Sequence, residues 1–212
     1  MAARIPQAAS QRSVLKICVI CEGYEEYEYM QRLAEIGAWN PIYAIDLVNA
    51  KGNGNIPARY QDRYQNGDYD AVFAFCDTDQ KPFEPYDEIK RKINVFHGVD
   101  GAADEVVVFG NPCTMQIIIL HWRNIILESH KKNFNAPILE EVLHIRGYRA
   151  RADQRERLFR NVTNRNFWKM YERVRGLPGK DTILGSSNFG KFIDRMRDSS
   201  GEWTRAFNEF LI

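Results

Sequence analysis

The chain has 212 residues, 44% of them hydrophobic and 27% charged, with a formal net charge of +1. That length supports one domain with an extension, and the composition is neither disordered nor fibrous. No apolar run approaches the length of a membrane span, so no membrane partner is expected, and the balanced charge excludes a protein whose whole surface is a polyanion receptor.

Residues 1–13 lack the continuous apolar centre of a signal peptide and read as a flexible leader. Val14–Cys21 is a buried strand candidate, followed by Glu22-Gly23 and a helical stretch to about Ile36. Tyr43–Val48 reads as a second strand. Lys51-Gly52-Asn53-Gly54-Asn55 is a turn-rich loop, and Ile56–Gln65 looks helical, with Pro57 in its first turn. Asp70–Cys76 is a third strand, rich in Val and Phe, ending in Asp77-Thr78-Asp79. After a loop at Gln80–Pro85, a helix carries Ile89 and Ile93 on one face, and Asp104–Phe109 is a fourth strand. Asn111-Pro112 then suits the cap and first position of a helix running Pro112–Ser129, whose apolar residues surround most of its axis and predict burial. From about Ala136 no strand is evident. Pro137–Ile145, Arg151–Arg175, Asn188–Arg197 and Gly201–Ile212 are helical candidates, separated by turns at Gly176–Gly179 and Gly185–Asn188. Repeated strand–helix alternation followed by helices alone predicts an α/β fold, Rossmann-like, with a mainly parallel sheet over residues 14–130 and a helical extension, 131–212, packed on it.

The four cysteines, 18, 21, 76 and 113, read as thiols in a reducing cytoplasm. Cys18 and Cys21 have CxxC spacing, but on a strand they face opposite ways and chelate poorly. Arg146–Arg175 holds nine arginines and one lysine against three acids. It is a candidate phosphate-binding surface, with Arg149, Arg151 and Arg155 as the residues assigned and Lys51 added from the glycine-rich loop, or equally a solvated helical face. The Lys51 loop lacks the GK[ST] ending of a P-loop and reads first as an ordinary turn. Phe167, Trp168 and Tyr171 read first as packing rather than base-stacking groups.

Two strand ends concentrate acids. In open α/β sheets, ligands gather beyond the carboxyl ends of the strands. Asp77 and Asp79 close the third strand with oxygen ligands suited to Mg²⁺, although an Asp-x-Asp alone reads first as a strand followed by an Asx turn. Glu22 closes the first strand, Gly23 permits a sharp turn there, and Glu26 lies in the first turn of the following helix. Three or four carboxylates converging on one rim cannot all stay ionised without a counter-ion, and a divalent cation is the common answer.

A hydrophobic strand ending Glu-Gly with an acid close behind, followed by a second strand ending Asp-x-Asp, resembles the TOPRIM domain of topoisomerases, primases and OLD-family nucleases. Within that superfamily the chain is most similar to RloB-like proteins. Glu22-Gly23, Tyr69-Asp70, Asp77/Asp79, and Asn111-Pro112-Cys113 leading to His121-Trp122 follow their motif order over residues 14–130. The resemblance implies a Mg²⁺- or Mn²⁺-dependent endonuclease of phage defence acting on DNA or RNA, with an ATPase companion protein by family analogy. It implies Glu22, Glu26, Asp77 and Asp79 as catalytic residues, with Glu22 as general acid/base and Glu22, Asp77 and Asp79 on the metal.

One departure stands out. The family reads Asn-Pro-Cys-Phe-Glu where this chain reads Asn111-Pro112-Cys113-Thr114-Met115-Gln116, so the acid expected at position 115 is missing. Gln116 is a neutral substitute, but it projects about 100° away around a helix. A catalytically degenerate module that binds nucleic acid or a protein partner is the alternative, and phosphoryl transfer on a nucleotide or small phosphate ester is a third reading. His121, in an apolar run, is balanced between core histidine and ligand.

Overall fold

The computed structural model describes residues 14–79 and 83–212; the leader and residues 80–82 of the expected Gln80–Pro85 loop lie outside them. In chain order, the elements that build the sheet half are β1 (Leu15–Cys21), α1 (Tyr24–Glu35), β2 (Tyr43–Asn49), a 3₁₀ turn (Asn53–Asn55), α2 (Ile56–Asn66), β3 (Ala71–Asp77), α3 (Glu84–His97), α4 (Ala102–Val106), β4 (Val107–Gly110) and α5 (Met115–Ile119). The remainder is α6 (Lys132–Leu143), α7 (Ala152–Arg160), α8 (Asn164–Arg175), α9 (Phe189–Arg197) and α10 (Trp203–Leu211).

The strands form one parallel sheet in the order β2-β1-β3-β4. Buried on both faces, β1 and β3 are continuous apolar runs rather than alternating ones. The order reverses direction after β2. Right-handed crossovers therefore send α1 to one face and α2 and α3 to the other, and the switch point falls between β1 and β3. On the α1 face, Phe73 packs against Phe192, Trp203 and Phe207, and Phe75 stacks on Phe189, with centroids 5.1 to 6.0 Å apart. The C-terminal helices α9 and α10 thus supply one layer of the core.

Two sequence expectations need correction. The stretch Asp104–Phe109 is not one strand. Its acids belong to α4, where Asp104 pairs with Lys90 and Glu105 with Lys191 and Arg195, and only Val107–Gly110 joins the sheet. The long helix Pro112–Ser129 is also absent. Asn111-Pro112 is a cis peptide outside any helix, Thr114 is the N-cap, and α5 ends after five residues. Gln116 explains the early stop. Its buried amide donates to the Ile125 carbonyl at 2.8 Å and accepts from the Leu127 N–H at 2.7 Å, folding the chain back on itself. Ile117–Leu120 are fully buried as expected, whereas Ile126 is 61% exposed.

The C-terminal half is helical as anticipated, but Arg151–Arg175 is two helices. Thr163 breaks it by capping α8, accepting from Asn166 N while the Asn166 side chain returns to Thr163 N at 2.8 Å. Ser187 and Asn188 bond to β4 backbone groups, which closes the exposed edge of the sheet.

Candidate active site

Glu22 and Asp77 stand on the two strands that flank the switch point. The β1–β3 ladder pairs Cys21 with Phe75, and the Glu22 N–H extends it by donating to the Phe75 carbonyl at 2.9 Å. The Glu22 side chain then folds over the end of β3, where its carboxylate accepts from the Asp77 N–H at 3.0 Å. Glu26, at the third position of α1, returns its carboxylate to the Gly23 N–H at 3.0 Å, so it both caps the helix and stands beside Glu22. Asp79 follows two residues beyond the end of β3 with a left-handed φ of 59°.

Asp77 is held from the opposite side by the turn after β4. Its Oδ1 accepts from Thr114 N at 2.6 Å and from Thr114 Oγ1 at 2.7 Å. Gly110 makes that approach possible: a Cβ there would lie 2.7 Å from the Cys113 carbonyl oxygen and 2.9 Å from Thr114 N.

Crowding and burial dominate the electrostatics. Desolvation, then the charge of Glu26, pushes Glu22 up to about 8. Desolvation and Glu25 raise Glu26 to about 6. Asp77 titrates well above the usual carboxylate range because of desolvation, then Glu26 and Glu22. Three carboxyls in one place thus compete to stay neutral, the behaviour of like charges awaiting a counter-ion. Among the described residues no three His, Cys, Asp or Glu side chains stand as a ready-made cage. The donor set nevertheless suits Mg²⁺, which takes hard oxygens from one or two carboxylates and keeps several waters.

Several residues at the site were not assigned to it from the sequence. Asn53, with its amide nitrogen facing Glu22, donates to the two carboxylate oxygens at 2.6 and 3.0 Å. Its loop follows β2 on the same rim, so topology was the clue available. The Gly52 N–H donates to the Glu22 carbonyl at 2.8 Å, so the glycine-rich loop braces Glu22. Lys132 pairs with Glu25, and Tyr148 donates to Glu25 at 3.1 Å. Burial works against the Lys132 ammonium, but Glu25, Asp77 and Glu26 outweigh it and keep its pKa above the ordinary value. Lys132 and Tyr148 arrive from the helical half at large sequence separation, with no periodic or motif signal.

Of the four cations assigned to nucleic acid, Lys51 is exposed on the rim beside Glu22. Arg149 is exposed and donates to the Tyr148 carbonyl at 3.0 Å, next to the Tyr148–Glu25 bond. Arg151 is exposed and pairs loosely with Asp153 at 3.5 Å. Arg155 is engaged internally. It grips Glu28 through two bonds of 3.0 and 2.8 Å and lies 5.1 Å over the Tyr24 ring.

His121 is a core residue. Asn166 Oδ1 already accepts from Thr163 N, so it accepts from His121 Nδ1 as well at 3.0 Å, leaving Nε2 to accept from Tyr29 at 2.9 Å. Gln116 is spent on backbone groups and does not stand in for the missing acid. Met115 does face the site: it lines, with Asp77, Thr114, His130, Lys132 and Tyr148, a cavity of about 20 Å³. All four cysteines are buried free thiols. Comparison with protein-family models, curated proteins and solved structures finds no match for this chain.

Proposed function

We propose that this protein is a TOPRIM-type, Mg²⁺-dependent nuclease that hydrolyses a phosphodiester in DNA or RNA. The observation that carries the reading is the junction of Glu22 and Asp77 across the switch point, joined by the 3.0 Å bond from the Asp77 N–H. Asp77 and Asp79, with Glu22, would hold the cation, which supplies charge neutralisation and Lewis acidity at the phosphate. Glu22 titrates near the working pH, as a group that passes a proton to or from a reacting oxygen must. Asn53 and the Asp77 N–H orient its carboxylate. Thr114 fixes Asp77, and Lys132 lies close enough to the acids to face a bound phosphate. The companion ATPase and the phage-defence role rest on the family resemblance alone.

A second reading has its own observation. Met115 lines the cavity above Asp77, so an acid at that position would face the cluster, and its absence favours a module that binds nucleic acid without cutting it. The test incubates the full chain with mixed DNA and RNA plus Mg²⁺ or Mn²⁺. Metal-dependent cleavage lost in Asp77→Ala is the expected result, and cleavage unchanged in Asp77→Ala and Glu22→Ala would overturn the nuclease reading.

A further inference from the structure

Beside the acid cluster lies a groove of about 350 Å³, lined by Asp79, Asn111, Pro112, Glu128, His130 and Leu184, together with Phe83. It begins at the proposed metal ligand Asp79 and shares His130 with the cavity over Asp77, so it opens from the reacting centre. Its volume is that of a small-ligand site. Two features define what it can hold.

The described lining is acidic. Asp79 and Glu128 place two carboxylates on the wall, and no described lining residue is Lys or Arg. With Asp79 committed to the proposed cation, Glu128 is the carboxylate left to face a ligand in the outer groove. The lining is otherwise suited to a flat, partly apolar group. Phe83, Pro112 and Leu184 supply apolar surface, and Leu184 continues outward into Ile183 and Ile126, which are 47%, 40% and 61% exposed. Gly185 lets this lip close up, since a Cβ there would meet Ile126 at 2.6 Å. Finally, His130 Nδ1 is buried without a hydrogen-bond partner, an orphan polar atom of the kind a ligand satisfies.

Resting on the nuclease reading above, we infer that this groove seats the base adjacent to the cleaved phosphodiester and selects bases that carry an exocyclic amino group. The base lies against Phe83, Pro112 and Leu184, as extruded bases do between apolar side chains. Glu128 accepts from the amino group, as carboxylates do from cytosine N4, and His130 Nδ1 completes the edge. Thymine and uracil present a carbonyl to Glu128 and are disfavoured.

Binding of single-stranded 12-mers of dA, dC and dT to the full chain, measured by fluorescence anisotropy in Ca²⁺, tests this without requiring turnover. The dA and dC oligonucleotides should bind about tenfold tighter than dT. Glu128→Gln should erase that preference, and Leu184→Asp should weaken dA and dC binding about tenfold; both positions are exposed, so the fold survives. Equal affinity for the three oligonucleotides, no measurable binding, or a preference that persists in Glu128→Gln overturns the inference. Competition by N-acetyl-argininamide with no base preference also overturns it, and assigns the groove to a basic side chain. Cleavage with Mn²⁺ but without base preference removes this inference and leaves the nuclease reading standing. Base-selective binding without cleavage overturns the nuclease reading and, with it, the placement beside a cleaved phosphodiester, and leaves the groove as a base-selective site.

Discussion

Asp77→Asn separates the two demands placed on the acid cluster. The amide keeps the volume of the carboxylate and an Oδ1 that can still accept from Thr114, so the turn after β4 retains its anchor. What disappears is the cost of either ionising Asp77 beside Glu22 and Glu26 or holding a proton on it, since desolvation and then those two groups raise it. Burying an ionisable carboxyl without a partner costs on the order of several kcal/mol, so removing this one should add ~1–3 kcal/mol of stability near pH 8. For a chain of this size each kcal/mol moves Tm by about 2–4 °C, so calorimetry in EDTA at pH 8 should show a rise of about 3–10 °C. At pH 5 the rise should shrink toward zero, because Glu22 and Glu26, raised to about 8 and about 6, are then already protonated. The same variant should lose Mg²⁺-dependent cleavage. A Tm that falls at pH 8 would refute the claim that Asp77 is an uncompensated charge, whatever the activity.

Two further outcomes follow from the same geometry. Glu22 titrates at about 8 when folded against an ordinary 4.5, so the folded state holds the extra proton and stability falls as pH rises between those values. Mg²⁺ should therefore raise Tm at pH 8 and have little effect at pH 5, where protons occupy its ligands; equal shifts at both pH values would contradict a carboxylate site. Met115→Glu should raise metal-dependent cleavage above wild type while lowering stability by ~1–3 kcal/mol, the cost of placing an acid at a buried position. Unchanged cleavage in a folded Met115→Glu protein would show that the missing acid is not what limits activity.

The sheet was legible because its physics is local. Strands buried on both faces must read as apolar runs, and acids at the ends of β1 and β3 fall on one rim once the strands are parallel. The misreadings came where a single side chain overrode a pattern. Gln116 turned an apolar stretch into a five-residue helix with a return loop, and ion pairs to Lys90, Lys191 and Arg195 drew Asp104 and Glu105 into α4. The site itself was half legible. Its acids lie at strand ends, which sequence marks. Thr114 sits in the motif that sequence marked but without a role there, whereas Lys132 and Tyr148 are brought in by tertiary folding across long stretches of chain, and nothing in their neighbourhoods announces them. Arg155 shows the converse: a basic segment suggested phosphate contacts, but this guanidinium is committed to Glu28.

The cover over Phe73 comes from the end of the chain. Trp203 and Phe207 lie on that ring, and Asn208 reaches the Asp70 carbonyl at 2.9 Å, at the start of the strand that carries Asp77. During synthesis this strand emerges early and waits with its aromatic face bare until α9 and α10 leave the ribosome. A chain lacking α9 and α10 would therefore leave the strand that carries Asp77, and the backbone donor it offers Glu22, without its aromatic cover.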